Sequence, residues 1–328
     1  MAKAFQRCAG ADALPAALAG GVVAIGNFDG VHRGHQAVLS HALEVAGGRI
    51  PALVLTFEPH PRSVFRPDIP LFRLTPPPVK ARVLSAFGFD AVVEQPFTRA
   101  FAQLSPERFV AEVLVDGLRA AHVVTGFDFH YGKDRGGTPG TLAEAGRRHG
   151  FAVSVVDAFS DEGGEVVSSS RIRALLRTGQ VAEAAGLLGY RYTVEATVEE
   201  GKKLGRQLGF PTANMALPAD TALAHGIYAV RFRRADGTLY DGVASFGRRP
   251  TVDEDGAPLL ETYLFDFEGD LYGETCAVSF FGHLRGEEKF DGLDALVARM
   301  RRDEEEARAL LSGVKPLSAL DLELTFQP

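Results

Sequence analysis

Apolar residues in the first half of the chain gather in short runs, with stretches of helical period between them. The runs 22–28, 51–57, 91–95, 122–126 and 152–159 are rich in Val, Leu, Ile or Phe and lack strict alternation. That texture predicts strands covered on both faces. Helices are predicted near 33–46, 78–87, 105–116 and 138–149. Ser105-Pro106-Glu107 reads as a helix start: a capping hydroxyl, proline at the first position, then an acid. The alternation predicts an α/β architecture with a doubly wound parallel sheet. Ligands of such sheets lie off the carboxyl ends of the strands. Residues 58–75 are proline-rich and have no clear period. They read as a long loop, and loops of that length are often functional.

After about residue 188 the pattern changes to alternating runs at 192–199, 227–232, 239–246, 261–267 and 276–281. The turn signals Ala235-Asp236-Gly237, Asp255-Gly256 and Glu268-Gly269-Asp270 separate them. Closely spaced antiparallel strands with polar turns predict a small barrel. A charged helix follows over 293–311, with Leu293, Leu296, Val297, Met300, Ala307 and Leu310 along one face. The break near 186–190 divides the chain into domains 1–187 and 188–328.

Length and composition are those of an ordinary folded protein: 328 residues, 46% apolar, 23% charged. A net charge of −7 argues against a non-specific nucleic-acid binder, which carries a basic excess. Phosphate must then be held by local N–H groups, a few basic residues and a metal. Cys8 and Cys276 are far apart and have no metal-type spacing. They read as two reduced thiols of a cytoplasmic protein. The apolar stretch 12–26 is weak and broken by Pro15. Cleavage there would also destroy the glycine turn that follows, so no signal peptide and no membrane helix is expected.

That turn is Gly26-Asn27-Phe28-Asp29-Gly30-Val31-His32-Arg33-Gly34-His35. It joins a buried strand to a helix, and its glycines bring backbone close to a ligand. The helix start offers free N–H groups and partial positive charge to a phosphate. His32 and His35 sit on the first helical turn and can stabilise charge on a pentavalent phosphorus. Val167-Ser168-Ser169-Ser170-Arg171-Ile172-Arg173 forms a second candidate cradle, although a plain serine cap has the same look. The series GNFDGVHRGH, TFEPHP, FRLT, GFDFHYGK and SSSRIR, over about 20–186, resembles the adenylyltransferase module of bifunctional bacterial riboflavin kinase/FAD synthetases. The resemblance implies a Rossmann-like nucleotidyltransferase. ATP would lie on Gly26, Asn27, Phe28, Asp29, Gly30, His32, His35, Asp128, Ser169, Ser170 and Arg173. It also implies flavin-side contacts from Phe57, Pro59, His60, Pro61 and Phe129. Ser170 stands where many members have threonine, and the hydroxyl is kept.

In the second half, GKKLGRQLGFPTAN spans 201–214. It lacks the glycine–lysine–serine/threonine ending of a P-loop. In an extended segment Thr212 and Asn214 point to one side, and both offer oxygen to Mg²⁺. A glycine-rich hairpin with an Asn turn is the structural alternative. Glu261 shares parity with Tyr263 and Phe265, and an acid there can accept a proton from an alcohol. An exposed strand glutamate with no role reads the same way. The series GRQLGFPTAN, GIYAV, GVASFGRRPTV, LETYLFDF, DLYG and LRGEEKF resembles the riboflavin kinases over about 188–312. The resemblance implies a Greek-key barrel with a C-terminal helix and flavin between the two. It implies ATP near Gly201, Lys203, Gly205, Arg206, Gly209, Pro211, Thr212 and Asn214. Mg²⁺ would lie on Thr212 and Asn214, with Glu261 as general base and flavin contact. Ser245-Phe246 departs from the family's usual asparagine and isoleucine, and 313–328 carry no recognisable motif. The expectation is an enzyme that phosphorylates riboflavin to FMN and adenylylates FMN to FAD. ATP would be the co-substrate, and the chain a monomer or weak homo-oligomer with no nucleic-acid or membrane partner.

Overall fold

Val22–Ile25 are buried along their whole length, as a strand covered on both faces requires. The computed structural model describes residues 5–201, 209–248 and 257–327. Its first six strands are β1 (Gln6–Cys8), β2 (Val22–Ile25), β3 (Ala52–Glu58), β4 (Ala91–Pro96), β5 (His122–Gly126) and β6 (Ala152–Val156). They form one parallel sheet in the order β1-β4-β3-β2-β5-β6. The chain steps outward from β2 through β3 to β4, then returns to β2's other side for β5. The direction of winding therefore reverses between β2 and β5, where a doubly wound sheet opens its ligand crevice.

The helices of this unit are α1 (Arg33–Ala46), α2 (Pro61–Phe65), α3 (Pro77–Phe87), α4 (Pro106–Phe109) and α5 (Pro139–His149). Ser105 caps α4 as expected, its hydroxyl accepting from the Arg108 N–H at 3.3 Å. The helix predicted over 105–116 is irregular: α4 runs into a π-helical stretch, Val110–Gly117. β2 and β6 stop short of the predicted 28 and 159, where chain turns replace strand. β1 is too short to carry a sequence signal. The loop expected over 58–75 contains α2.

The chain divides by compactness into two units, residues 1–71 with 75–168, and 72–74 with 169–328. The second holds α6 (Ser169–Arg177), α7 (Val181–Leu188), α8 (Leu293–Gly313) and α9 (Ala319–Thr325). Its strands are β7 (Thr193–Glu199), β8 (Thr212–Ala216), β9 (Gly226–Arg233), β10 (Leu239–Arg248), β11 (Pro258–Leu264) and β12 (Thr275–Arg285). They close into an antiparallel barrel ordered β10-β11-β8-β7-β12-β9. β9, β10 and β11 follow one another as neighbours, and β12 returns beside β9, which is Greek-key connectivity.

Two strand expectations need correction. β11 covers 258–264 rather than 261–267, because the chain turns at Asp266, whose φ is 56°. β12 continues past 281 through two register shifts, between Phe280 and Gly282 and between His283 and Arg285. At the first of these, α8 packs so closely that a Cβ on Gly282 would lie 2.7 Å from Leu310 Cδ1. The apolar face predicted for α8 is only half used. Ala307 is buried, Leu296, Val297, Met300 and Leu310 are half-buried, and Leu293 is 65% exposed, whereas Leu311, which was not expected on that face, is buried.

Candidate functional site

The Gly26–His35 turn leaves the carboxyl end of β2, beside the point where the winding reverses. Phe28, Gly30 and Val31 have φ of 45°, 90° and 37°, so the chain coils tightly before α1. Two elements pin it. Asp29 is buried and accepts from the Thr75 N–H through Oδ1 at 3.1 Å, while the Gly30 N–H donates to Thr75 Oγ1 at 2.8 Å. From α3, the Lys80 ammonium donates to the Asn27 carbonyl at 2.8 Å. Gly26 has no Cβ because the Phe28 ring would stand 3.0 Å from it.

His32 caps α1, its Nδ1 accepting from the His35 N–H at 3.3 Å. The two imidazoles stack, with centroids 3.6 Å apart and 17° between planes. Phe28 meets His35 edge-on at 5.4 Å. Burial, then His32, then the Lys80 charge hold His35 well below the usual imidazole range. The His35 ring is therefore neutral at neutral pH, and among the described residues its buried Nδ1 has no hydrogen-bond partner. A neutral imidazole beside a helix N-terminus keeps its N–H for a ligand.

The other candidates of this unit lie on the neighbouring strand ends. After β5, Asp128 is exposed and Phe129 stacks on Tyr131 at 5.7 Å against the core. After β3, a cis peptide joins Glu58 to Pro59, His60 caps α2 by accepting from the Arg62 N–H at 3.1 Å, and Pro61 opens that helix. Phe57 is buried among Phe97, Phe101 and Phe109, with centroid distances of 5.8, 6.1 and 6.4 Å, so it builds a wall. The ends of β3, β2 and β5 thus carry three of the expected groups side by side. Ser169, Ser170 and Arg173 belong to the second unit, on the first turns of α6. Arg173 is buried there and donates through Nε to the Phe72 carbonyl at 2.6 Å.

On the barrel, β8 and β11 pair so that Asn214 stands directly opposite Glu261, and Thr212 opposite Tyr263. Cross-strand partners share a face, so Thr212, Asn214 and Glu261 lie together on the outside of the barrel. The row extends to Glu199 on β7 and Ser245 on β10. Asn214 is buried although it faces outward, because Gly201 lies over it: a Cβ on Gly201 would fall 2.5 Å from Asn214 Nδ2. The Asn214 amide donates to the Thr212 carbonyl at 3.2 Å, and its Oδ1 lies under the same Gly201, 2.7 Å from where a Cβ would stand. Phe210 packs edge-on against Tyr263 at 5.1 Å. Gly209 has φ 86°, and Pro211 leads directly into β8. Lys203, Gly205 and Arg206 lie outside the described residues.

Neutral oxygens of Thr212 and Asn214 with a carboxylate beside them suit a hard cation that takes its remaining ligands from phosphate and water. Among the described residues no group of three His, Cys, Asp or Glu side chains could hold a metal unaided. Mg²⁺ therefore fits as a companion of ATP.

Comparison with known proteins assigns both halves. A family model described as FAD synthetase matches residues 14–171, and one described as riboflavin kinase matches 188–311. The bifunctional riboflavin kinase/FMN adenylyltransferase of Listeria monocytogenes is 40% identical over 302 residues, 90% of this chain and 93% of that protein. The protein of the same description from Escherichia coli is 39% identical over 298 residues, 90% and 95% of the two chains. The chain belongs to the bifunctional riboflavin kinase/FMN adenylyltransferase family. A crystal structure of a Streptococcus pneumoniae protein described as macrolide-efflux shares the fold, with TM-score 0.79 and 31% identity over 93% of this chain and 98% of that one. Among the described residues here, no helix is long and apolar enough to cross a membrane.

Four residues that pin the adenylyltransferase turn carry no individual signal in the sequence or, in one case, a weak one: Thr56, Glu58, Thr75 and Lys80. Thr56 and Glu58 lie in TFEPHP and Thr75 in FRLT, segments that resemble the family without showing what each residue does. Lys80 carried a physical signal. It is a lone charge on the apolar face of a helix, with Val79, Val83 and Leu84 around it. A lysine on such a face is buried only when paired.

Proposed function

We infer that this chain makes FAD from riboflavin in two ATP-consuming steps, with residues 188–328 as kinase and 1–187 as adenylyltransferase. Membership of the family supports the pair of activities. The observation that carries the kinase chemistry is the β8–β11 register, which sets Glu261 against Asn214.

In the kinase step, the riboflavin 5′-hydroxyl oxygen attacks the γ-phosphorus of ATP. Glu261 takes the hydroxyl proton and ADP leaves. Thr212 Oγ1 and Asn214 Oδ1 would hold Mg²⁺, which when bound neutralises charge on the phosphates. Gly201 and Gly209 bracket the nucleotide segment. The half-used face of α8, with Leu293, Leu296, Val297 and Met300, gives the flavin ring an apolar seat beside the barrel.

In the adenylyl step, a phosphate oxygen of FMN attacks the α-phosphorus of a second ATP, and pyrophosphate leaves. No general base is required, because the nucleophile is already ionised. The residues Gly26–Gly30 cradle phosphate, with Asp29 holding the loop's shape. His32 and neutral His35 donate N–H bonds to the charge that develops on phosphorus. FMN takes the strand ends bearing Pro59, His60, Pro61 and Phe129, and Asp128 meets nucleotide. Two buried free thiols suit a reducing compartment, which we take to be the cytoplasm.

Chromatographic separation of riboflavin, FMN and FAD after incubation with Mg-ATP tests the reading. Both products are expected. Pyrophosphate release that did not depend on flavin would mean that the first unit serves another phosphorylated substrate.

A further inference from the structure

Lys80 is 1% exposed, and its ammonium group is fully subscribed. Its Nζ donates to the Asn27 carbonyl at 2.8 Å, to Thr56 Oγ1 at 3.1 Å and to Glu58 Oε1 at 3.1 Å. Thr56 Oγ1 in turn donates to the same Asn27 carbonyl at 3.1 Å, closing a ring of bonds. A buried ammonium is costly unless every proton is matched and a counter-charge is present. Here Glu58 supplies that charge.

The three acceptors come from different places. Asn27 belongs to the turn that leaves β2. Thr56 and Glu58 end β3, one residue before Pro59 and two before His60. A single side chain from α3 therefore ties the phosphate turn to the strand end that carries the expected flavin contacts.

We propose that Lys80 is a positioning residue of the adenylyl step, holding the turn that receives ATP in register with the β3 end that receives FMN. It touches neither substrate. Its effect is geometric, on the distance between the attacking oxygen and the α-phosphorus. The inference rests on the adenylyltransferase reading of this unit.

The test is steady-state kinetics on full-length Lys80→Met and Lys80→Met/Glu58→Gln, with FMN and Mg-ATP, beside riboflavin phosphorylation by the same preparations. The single variant takes the Lys80 charge from the half-buried Glu58 carboxylate, and its melting temperature falls. The double variant removes both charges and regains most of that loss. In both, kcat for FAD formation falls about 100-fold, as expected of a roughly 1 Å misplacement. KM for ATP and FMN moves less than about threefold, because the lost interaction acts on reaching the transition state. Riboflavin phosphorylation is unchanged. If FAD formation in the double variant recovers along with its melting temperature, Lys80 is a structural charge only and the proposal fails. An equal loss of kinase activity in both variants would overturn it too. Wild-type protein that makes no FAD from FMN would instead overturn the reading beneath it.

Discussion

Gly34 shows how narrowly the histidine pair is placed. A Cβ there would lie 3.2 Å from Cε1 and Nδ1 of the His32 ring and 3.3 Å from the Val167 carbonyl oxygen. The backbone oxygen cannot retreat, so the ring must. Gly34→Ala is expected to slow FAD formation about tenfold or more, through misplacement of His32, while FMN formation is unchanged. Separate assays of the two steps check this. The second residue-scale prediction concerns His35. Its folded-state pKa is depressed, chiefly by burial, below the ordinary 6.5 of the unfolded chain. Above that value neither state holds the proton, and the ring contributes no pH dependence. As pH falls below it, the unfolded state binds the proton first and folded stability is lost. Between about pH 7.5 and about pH 5.5, the fall in melting temperature should be smaller in His35→Asn than in wild type. Equal falls would show that His35 is not held neutral. The histidines and glycines of this turn were legible because each is a residue type with a local job. The groups that hold them were less so: Lys80 lies 53 positions from Asn27 and Thr75 lies 46 from Asp29, distances no local pattern spans.

Among the elements, α9 had no sequence signature, and the reason is visible in its anchoring. It has seven residues, too few for a period, and is held by ionic and capping bonds. Asp321 is fully buried and accepts from the Arg191 N–H at 2.9 Å, Arg191 Nη1 at 2.8 Å, the Leu317 N–H at 2.9 Å and Thr325 Oγ1 at 2.9 Å. Ser318 caps the helix and donates to the Gly189 carbonyl at 2.7 Å. Arg231 lies over the Phe281 and Phe326 rings at 5.1 and 4.7 Å. Asp321→Ala strands Arg191 without its counter-charge and is expected to cost the barrel unit about 3–5 kcal/mol. Denaturant unfolding with a probe in the barrel would measure it, and a loss below about 1 kcal/mol would contradict this anchoring role. The longer elements were legible where periodicity had room to act. α1 spans the predicted 33–46, and its left-handed cap at Gly47 has φ 55°. Errors gathered where side-chain pattern and backbone part company, at the Asp266 turn after β11 and the two bulges of β12.

At the scale of the whole molecule, both architectures could be read from texture, parallel where runs are continuous and barrel where they alternate. Which segments pack together was harder to read. Residues 72–74 join the barrel unit although both flanking segments lie in the first unit, and α6 joins it although the residues before it do not. Sequence order does not reveal such exchanges. Each step has its own residues, so the two losses should be separable. His35→Ala mixed with Glu261→Ala should restore FAD from riboflavin, the first supplying FMN to the second. The most direct measurement is the product distribution from riboflavin and Mg-ATP for wild type and these two variants alone. Wild type should give FMN and FAD, His35→Ala FMN only, and Glu261→Ala neither unless FMN is added. FAD made from riboflavin by His35→Ala at the wild-type rate, or FMN made undiminished by Glu261→Ala, would contradict this assignment.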